Sequence, residues 1–124
     1  HRFGLYDGIL IKDNHLAIAG SIKEAVSKAR LNSGHMVNVE IEVDNLSQYK
    51  DALETSADAI LLDNFSLEDL KTAVSIKKNN VTLEASGKIT KDSISAIAET
   101  GVDLISSGWL THSSPALDIG LDFK

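Results

Sequence analysis

Five residues stand out because each follows or ends a short apolar run: Lys12, Glu42, Asp63, Ser86 and Gly108. Successive members are 30, 21, 23 and 22 residues apart. An ammonium, two carboxylates, a hydroxyl and a glycine at so regular a spacing read as one constellation. Glu42 and Asp63, with Glu84 two residues before Ser86, are oxygen donors of the kind that suit Mg²⁺, a cation that often binds substrate phosphates at the same time. Ser86-Gly87 and Ser107-Gly108 are two Ser-Gly pairs one period apart. A glycine there lets backbone N–H groups approach a phosphate closely, and a following helix start adds a favourable dipole. A single Ser-Gly is usually no more than a turn; the repeated pair points to a phosphorylated ligand.

Other chemistries are excluded. The chain has no cysteine, so thiolate metal sites and disulfides are ruled out. Its histidines, His1, His15, His35 and His112, include no H-x-x-x-H or H-E-x-x-H spacing, which argues against a histidine zinc site. His35 follows Gly34 in a loop and reads as a surface residue. His15 and His112 lie just beyond strand ends. No G-x-x-x-x-G-K-[ST], G-x-G-x-x-G or serine nucleophile elbow occurs.

The elements that must position these residues are legible from periodicity. Strand-like runs fall at 8–11, 37–43, 59–62, 81–85 and 102–106, with helical periodicity at 22–31, 46–55, 67–76 and 91–100. Ser21 with Glu24, Asn45 with Gln48, Ser66 and Thr90 supply helix-start signals, and Gly101 a helix stop. The inward faces are expected to carry Ile22, Ala25, Val26 and Ala29; then Leu46, Tyr49 and Leu53; then Leu67, Leu70 and Val74; then Ile94, Ile97 and Ala98. Strand alternation sends Val39, Ile41 and Val43 to one face, and Glu40, Glu42 and Asp44 to the other. Thr82, Glu84 and Ser86 likewise share a face. Two readings of the acidic set stay open: internal ion pairs or rim contacts, or work at a site. Lys12 has the same alternatives.

The order β-α-β-α-β-α-β-α-β implies an α/β fold with a parallel sheet and right-handed crossovers. In a βα barrel the strand C-terminal ends form the ligand site; in an open doubly wound sheet they do too. The 124 residues suffice for one compact domain. A net charge of -6 and a pI near 5.1 argue against nucleic acid or anionic lipid as a general partner. No apolar run reaches the roughly 20 residues of a membrane helix, and no signal peptide is visible. These features together point to a cytoplasmic enzyme. The chain opens at His1, without Met, and runs directly into the apolar stretch 3–11; the expectation is a segment from the middle of a longer protein.

The ordered motifs carry a family resemblance. His1-Arg2-Phe3-Gly4-Leu5, Ile11-Lys12-Asp13-Asn14-His15, Val39-Glu40-Ile41-Glu42-Val43, Leu61-Leu62-Asp63-Asn64-Phe65, Glu84-Ala85-Ser86-Gly87 and Gly101-Val102-Asp103 through Ser107-Gly108 resemble the quinolinate phosphoribosyltransferase family. So do Leu110-Thr111-His112-Ser113 and 117–122. Each motif is modest alone; the ordered set, spanning nearly the whole chain, is specific.

The resemblance implies that residues 1–124 are the C-terminal part of a TIM-like α/β barrel domain, with an N-terminal domain and the first barrel strands lying outside them. It implies phosphoribosyl transfer from phosphoribosyl pyrophosphate to quinolinate with decarboxylation, a step of NAD synthesis, with Mg²⁺ as cofactor. His1, Arg2 and Lys12 would meet the quinolinate dianion. Glu42 and Asp63 would hold the ribose hydroxyls or the Mg²⁺-bound diphosphate, making Lys12, Glu42 and Asp63 the catalytic set. Ser86, Gly87 and Gly108 would receive the 5′-phosphate. A homodimer or higher oligomer is implied, with the site shared between copies, and the segment alone is expected to be inactive. Lys88 departs from the family pattern, where many members carry another glycine. Two other readings remain: a molybdenum-transport-associated relative, and a non-catalytic phosphate-binding or assembly module.

Overall fold

The computed structural model describes residues 3–78 and 80–123. Five strands form one sheet: β1 (Gly8–Ile11), β2 (Asn38–Val43), β3 (Ala59–Asp63), β4 (Thr82–Ser86) and β5 (Leu104–Ile105). Every neighbouring pair is parallel, and the order is β1-β2-β3-β4-β5. A doubly wound sheet must reverse its strand order at a switch point. This sheet never reverses, so successive right-handed crossovers stack their helices on one side, as in an α/β barrel. The fold class is the expected one.

Six helices accompany the strands: α1 (Asp13–Ala19), α2 (Ile22–Leu31), α3 (Leu46–Leu53), α4 (Leu67–Ser75), α5 (Ile94–Ala98) and α6 (Trp109–His112). Side-chain oxygens of Ser21, Asn45 and Ser66 accept from the backbone N–H of Glu24, Gln48 and Asp69, which starts α2, α3 and α4. The core lies between the sheet and these three helices. Val39, Ile41, Val43, Ile60, Leu62 and Leu83 are fully buried from the sheet side, against Val26, Tyr49, Ala52, Leu70 and Ala73. The Tyr49 hydroxyl donates to the Ala73 carbonyl at 2.8 Å, which satisfies the polar end of a buried ring and ties α3 to α4.

Four expectations need correction. Helices α1 and α6 are absent from the periodicity reading; they have 7 and 4 residues, and α1 brings only the partly buried Leu16 and Ala19 to the core, too little for an apolar period to show. Helix α5 is shorter than 91–100. Residues 90–93 form a turn in which the Ser93 hydroxyl accepts from the Thr90 N–H, and Ser93 stands at the N-cap position without a side-chain cap bond to the helix. On α5 only Ile97 packs against the core; Ile94 is 40% exposed and Ala98 is also exposed. On α4 the buried pair is Leu70 and Ala73, while Leu67 sits at the exposed first turn. Strand β5 pairs over two residues at the end of the sheet order, so little surface is offered for α5 to cover.

Candidate active site

The inner face of the sheet is polar. Alternation places Glu40 and Glu42 on β2 opposite to Val39, Ile41 and Val43, which are all fully buried under the helices. The register then sets the neighbours. Ile11 pairs with Ile41, so Lys12 comes beside Glu42; Asp63 pairs with Ser86. Lys12 Nζ lies 3.2 Å from Glu42 Oε2. Carboxylate oxygens of Glu42, Asp44 and Asp63 lie within 4.8 Å of one another. Lys12, Glu42, Asp63 and Ser86 therefore converge at the strand C-terminal ends. Asp44 joins them, a residue the sequence reading put on the same face but gave no role; its signal was the unbroken alternation through the end of β2.

The opposite ends of the strands use acids differently. Asp58 Oδ2 accepts the Val39 N–H at 2.7 Å and pairs with Arg30. Asp103 Oδ2 accepts the Leu83 N–H at 2.7 Å, and both its oxygens contact Lys77 Nζ. These bonds, the backbone one foremost, hold the Asp103 carboxyl below its ordinary range. Such acids are consumed in bracing the bottom of the fold.

Below Lys12 and Glu42 the interior holds a second carboxyl pair. Glu84 is 7% exposed, and Ser106 Oγ donates to its Oε1. Glu40 is pushed up to about 7, by burial first, then by Glu84 beside it and by the Glu42 charge. Its Oε1 is buried without a partner. Both residues line a cavity of about 440 Å³ on the inner face. Glu84, expected from sequence to be an Mg²⁺-type oxygen donor with Glu42 and Asp63, instead lies outside the Glu42–Asp44–Asp63 cluster; Glu40 has no individual role in the sequence reading.

The two glycine turns also meet. Gly87 has φ +93°, and Asn64 and Lys88 are left-handed at +54° and +53°. Lysine pays on the order of 1 kcal/mol for that conformation, so Lys88 keeps a glycine-like backbone path despite departing from the family pattern. Ser107 Oγ donates to the Ile89 carbonyl at 2.5 Å, which pins the β5–α6 turn to the β4–α5 loop. Lys88, Thr90, Gly108, Trp109 and His112 line a cavity of about 340 Å³ between these turns. His112 covers Gly108: a Cβ there would lie 2.8 Å from its Nε2. His15 Nδ1 accepts the Lys12 backbone N–H at 2.8 Å and so fixes the chain just past β1. His35 is an exposed loop residue, as expected. His1 and Arg2 lie outside the described residues.

The strand order and the converging ends define a singly wound parallel βα barrel segment with a polar site at the strand C-terminal ends. The family model described as "Quinolinate phosphoribosyl transferase, C-terminal domain" matches residues 1–122, and the chain belongs to that family. It is 49% identical over 122 residues to a probable nicotinate-nucleotide pyrophosphorylase [carboxylating] of Bacillus subtilis, covering 98% of this chain and 42% of that protein. It is 43% identical to the nicotinate-nucleotide pyrophosphorylase [carboxylating] of Rattus norvegicus, with the same two coverages. The solved nicotinate-nucleotide pyrophosphorylase of Francisella tularensis superposes with a TM-score of 0.82 at 52% identity, over 90% of this chain and 39% of that one. The chain thus spans less than half the length of these relatives.

Proposed function

We propose that this chain supplies the ribose- and phosphate-binding side of a quinolinate phosphoribosyltransferase that makes nicotinate mononucleotide. The observation that carries the reading is the family match over residues 1–122, on a fold whose strand ends bring Lys12, Glu42, Asp63 and Ser86 together. In the reaction the pyridine nitrogen of quinolinate attacks the anomeric carbon of phosphoribosyl pyrophosphate, and pyrophosphate departs with the C–O electron pair. The carboxylate next to the ring nitrogen then leaves as CO₂, its bonding pair stays on the ring carbon, and a proton replaces it.

The residues divide this work by charge. Positive charge builds at the anomeric carbon as the diphosphate leaves, and the carboxylates of Glu42 and Asp63 stabilise it or bind the ribose hydroxyls. Lys12 offers its ammonium to the anionic partners. His1 and Arg2 are assigned to the quinolinate dianion by the same reasoning. Backbone N–H groups around Gly87 and Gly108 receive the 5′-phosphate, with Ser86 beside them. Glu42 and Asp63, with Asp44 adjoining, are hard oxygen donors that fit Mg²⁺. When bound there, the ion would neutralise the departing diphosphate.

Two further parts belong to this reading. No helix among the described residues is long and apolar enough to cross a membrane, which fits a cytoplasmic enzyme acting on small molecules. Association into a dimer or higher oligomer is part of the same reading and rests on the family resemblance alone. The test is calorimetric titration of the full-length protein with nicotinate mononucleotide. Saturable binding that Asp63→Ala weakens by on the order of tenfold or more is expected; no binding, or binding indifferent to Asp63, overturns the reading.

A further inference from the structure

Asn64 joins two parts of the candidate site and has no role in the account so far. It follows Asp63 at the end of β3 and adopts φ +54°, a conformation that Asn tolerates better than most residues. Its side-chain Nδ2 donates to Asp63 Oδ2 at 2.5 Å. Its backbone N–H donates to the Ser86 carbonyl at 3.0 Å, across the gap between the β3 and β4 turns. It also fills the space over Gly87. A Cβ on Gly87 would lie 2.5 Å from Asn64 Oδ1, 2.6 Å from Cγ and 2.7 Å from the backbone N.

These contacts share one consequence. The Asp63 carboxylate has one oxygen held by a fixed donor, which limits rotation and leaves the other oxygen for a ligand. The Ser86–Gly87 turn is held to the same residue through its backbone. The β3–β4 ladder sets Asp63 opposite Ser86; beyond the ladder, Asn64 contacts both the carboxylate and the turn, and a sugar phosphate reaching from one to the other would feel any change in it. We propose that Asn64 is a positioning residue, which sets the Asp63 carboxylate and the Ser86–Gly87 turn at the separation that a ribose 5-phosphate unit needs.

The proposal rests on the reading that Asp63 and Gly87 serve a phosphoribosyl substrate. Positioning also differs from simple backbone support in a way that variants can separate. Asn64→Gly keeps the left-handed backbone and its N–H donor but removes the amide. Asn64→Asp keeps the shape and the tolerance for positive φ, but replaces the donor with an oxygen facing Asp63.

Both variants are made in the full-length protein. Asn64→Gly is expected to fold with a thermal midpoint close to wild type, whereas Asn64→Asp, which sets a carboxylate against Asp63, is expected to fold with a lowered one. With phosphoribosyl pyrophosphate and quinolinate, kcat/KM for the sugar diphosphate should fall by about tenfold to a hundredfold, the usual cost of losing the partner of a site carboxylate. The KM for quinolinate should stay within about twofold. A crystal structure of Asn64→Gly is expected to show Asp63 in a new rotamer and Gly87 displaced. Asn64→Gly with wild-type kinetics overturns the proposal, since backbone geometry would then suffice. If the wild-type protein itself shows no turnover, the functional reading fails by that result. The positioning claim is then decided by the crystal structure, and Asp63 and Gly87 unmoved in Asn64→Gly would overturn it.

Discussion

Lys12→Met in the full-length protein is expected to lower kcat/KM by on the order of 10²- to 10³-fold, the range seen when one preorganised charge-stabilising donor is removed. Stability should hardly change. Lys12 is half exposed and its ion pair with Glu42 spans 3.2 Å, a setting in which such pairs contribute about 0–1 kcal/mol. Met keeps the length and the apolar stem of the side chain. The functional loss has a different origin. Glu40, Glu42, Asp44, Asp63 and Glu84 crowd the inner face and its rim, and Lys12 is the cation the structure brings to Glu42. Without it, two anionic substrates must approach these carboxylates with no ammonium beside Glu42 to meet them. Steady-state kinetics beside thermal denaturation separates the two effects. A fall in melting temperature large enough to account for the lost rate would contradict this assignment and make Lys12 a structural residue.

Gly87→Ala should damage the site through the backbone. At φ +93° any L side chain is strained, at a cost of about 1–3 kcal/mol for a residue held in such a region. The added methyl meets the Asn64 backbone N at 2.7 Å, an atom already committed to the Ser86 carbonyl. A flexible side chain could swing away; this backbone cannot without giving up its bond to the Ser86 carbonyl. The turn must therefore open, and the N–H groups assigned to the phosphate lose their aim. The KM for the sugar diphosphate is expected to rise by on the order of a hundredfold, as for a shift of about 1 Å at a reacting site. Kinetics on the purified variant checks this. An unchanged KM would mean that the phosphate lies elsewhere.

Much of this site is legible in the amino-acid sequence. The alternation Val39–Glu40–Ile41–Glu42–Val43 required one buried face and one acidic face, because a strand has a period of two. The apolar half of that pattern is fully buried and the acidic half faces inward. Strand ends were legible too, since a polar residue closes each apolar run. Asn64 and Lys88 could not be read for conformation, because nothing in their local sequence demands positive φ; neighbouring loops impose it. The pairing of Glu40 with Glu84 was equally hidden, because it depends on the curvature of the sheet and joins residues 44 positions apart. Helices α1 and α6, of 7 and 4 residues, are too short for an apolar period to show, and the span 91–100 overextends α5 because the turn held by Ser93 looks helical in composition.

The central claim is that residues 1–124 form part of a phosphoribosyl-transferring site that needs more chain than they contain. The direct measurement is nicotinate mononucleotide formation from quinolinate and phosphoribosyl pyrophosphate with Mg²⁺, run on the full-length protein and on the 124-residue chain alone. The account predicts one nicotinate mononucleotide, one pyrophosphate and one CO₂ per turnover from the full-length protein, and no product from the chain alone. No product from the folded full-length protein, or clear turnover by the isolated chain, would contradict it.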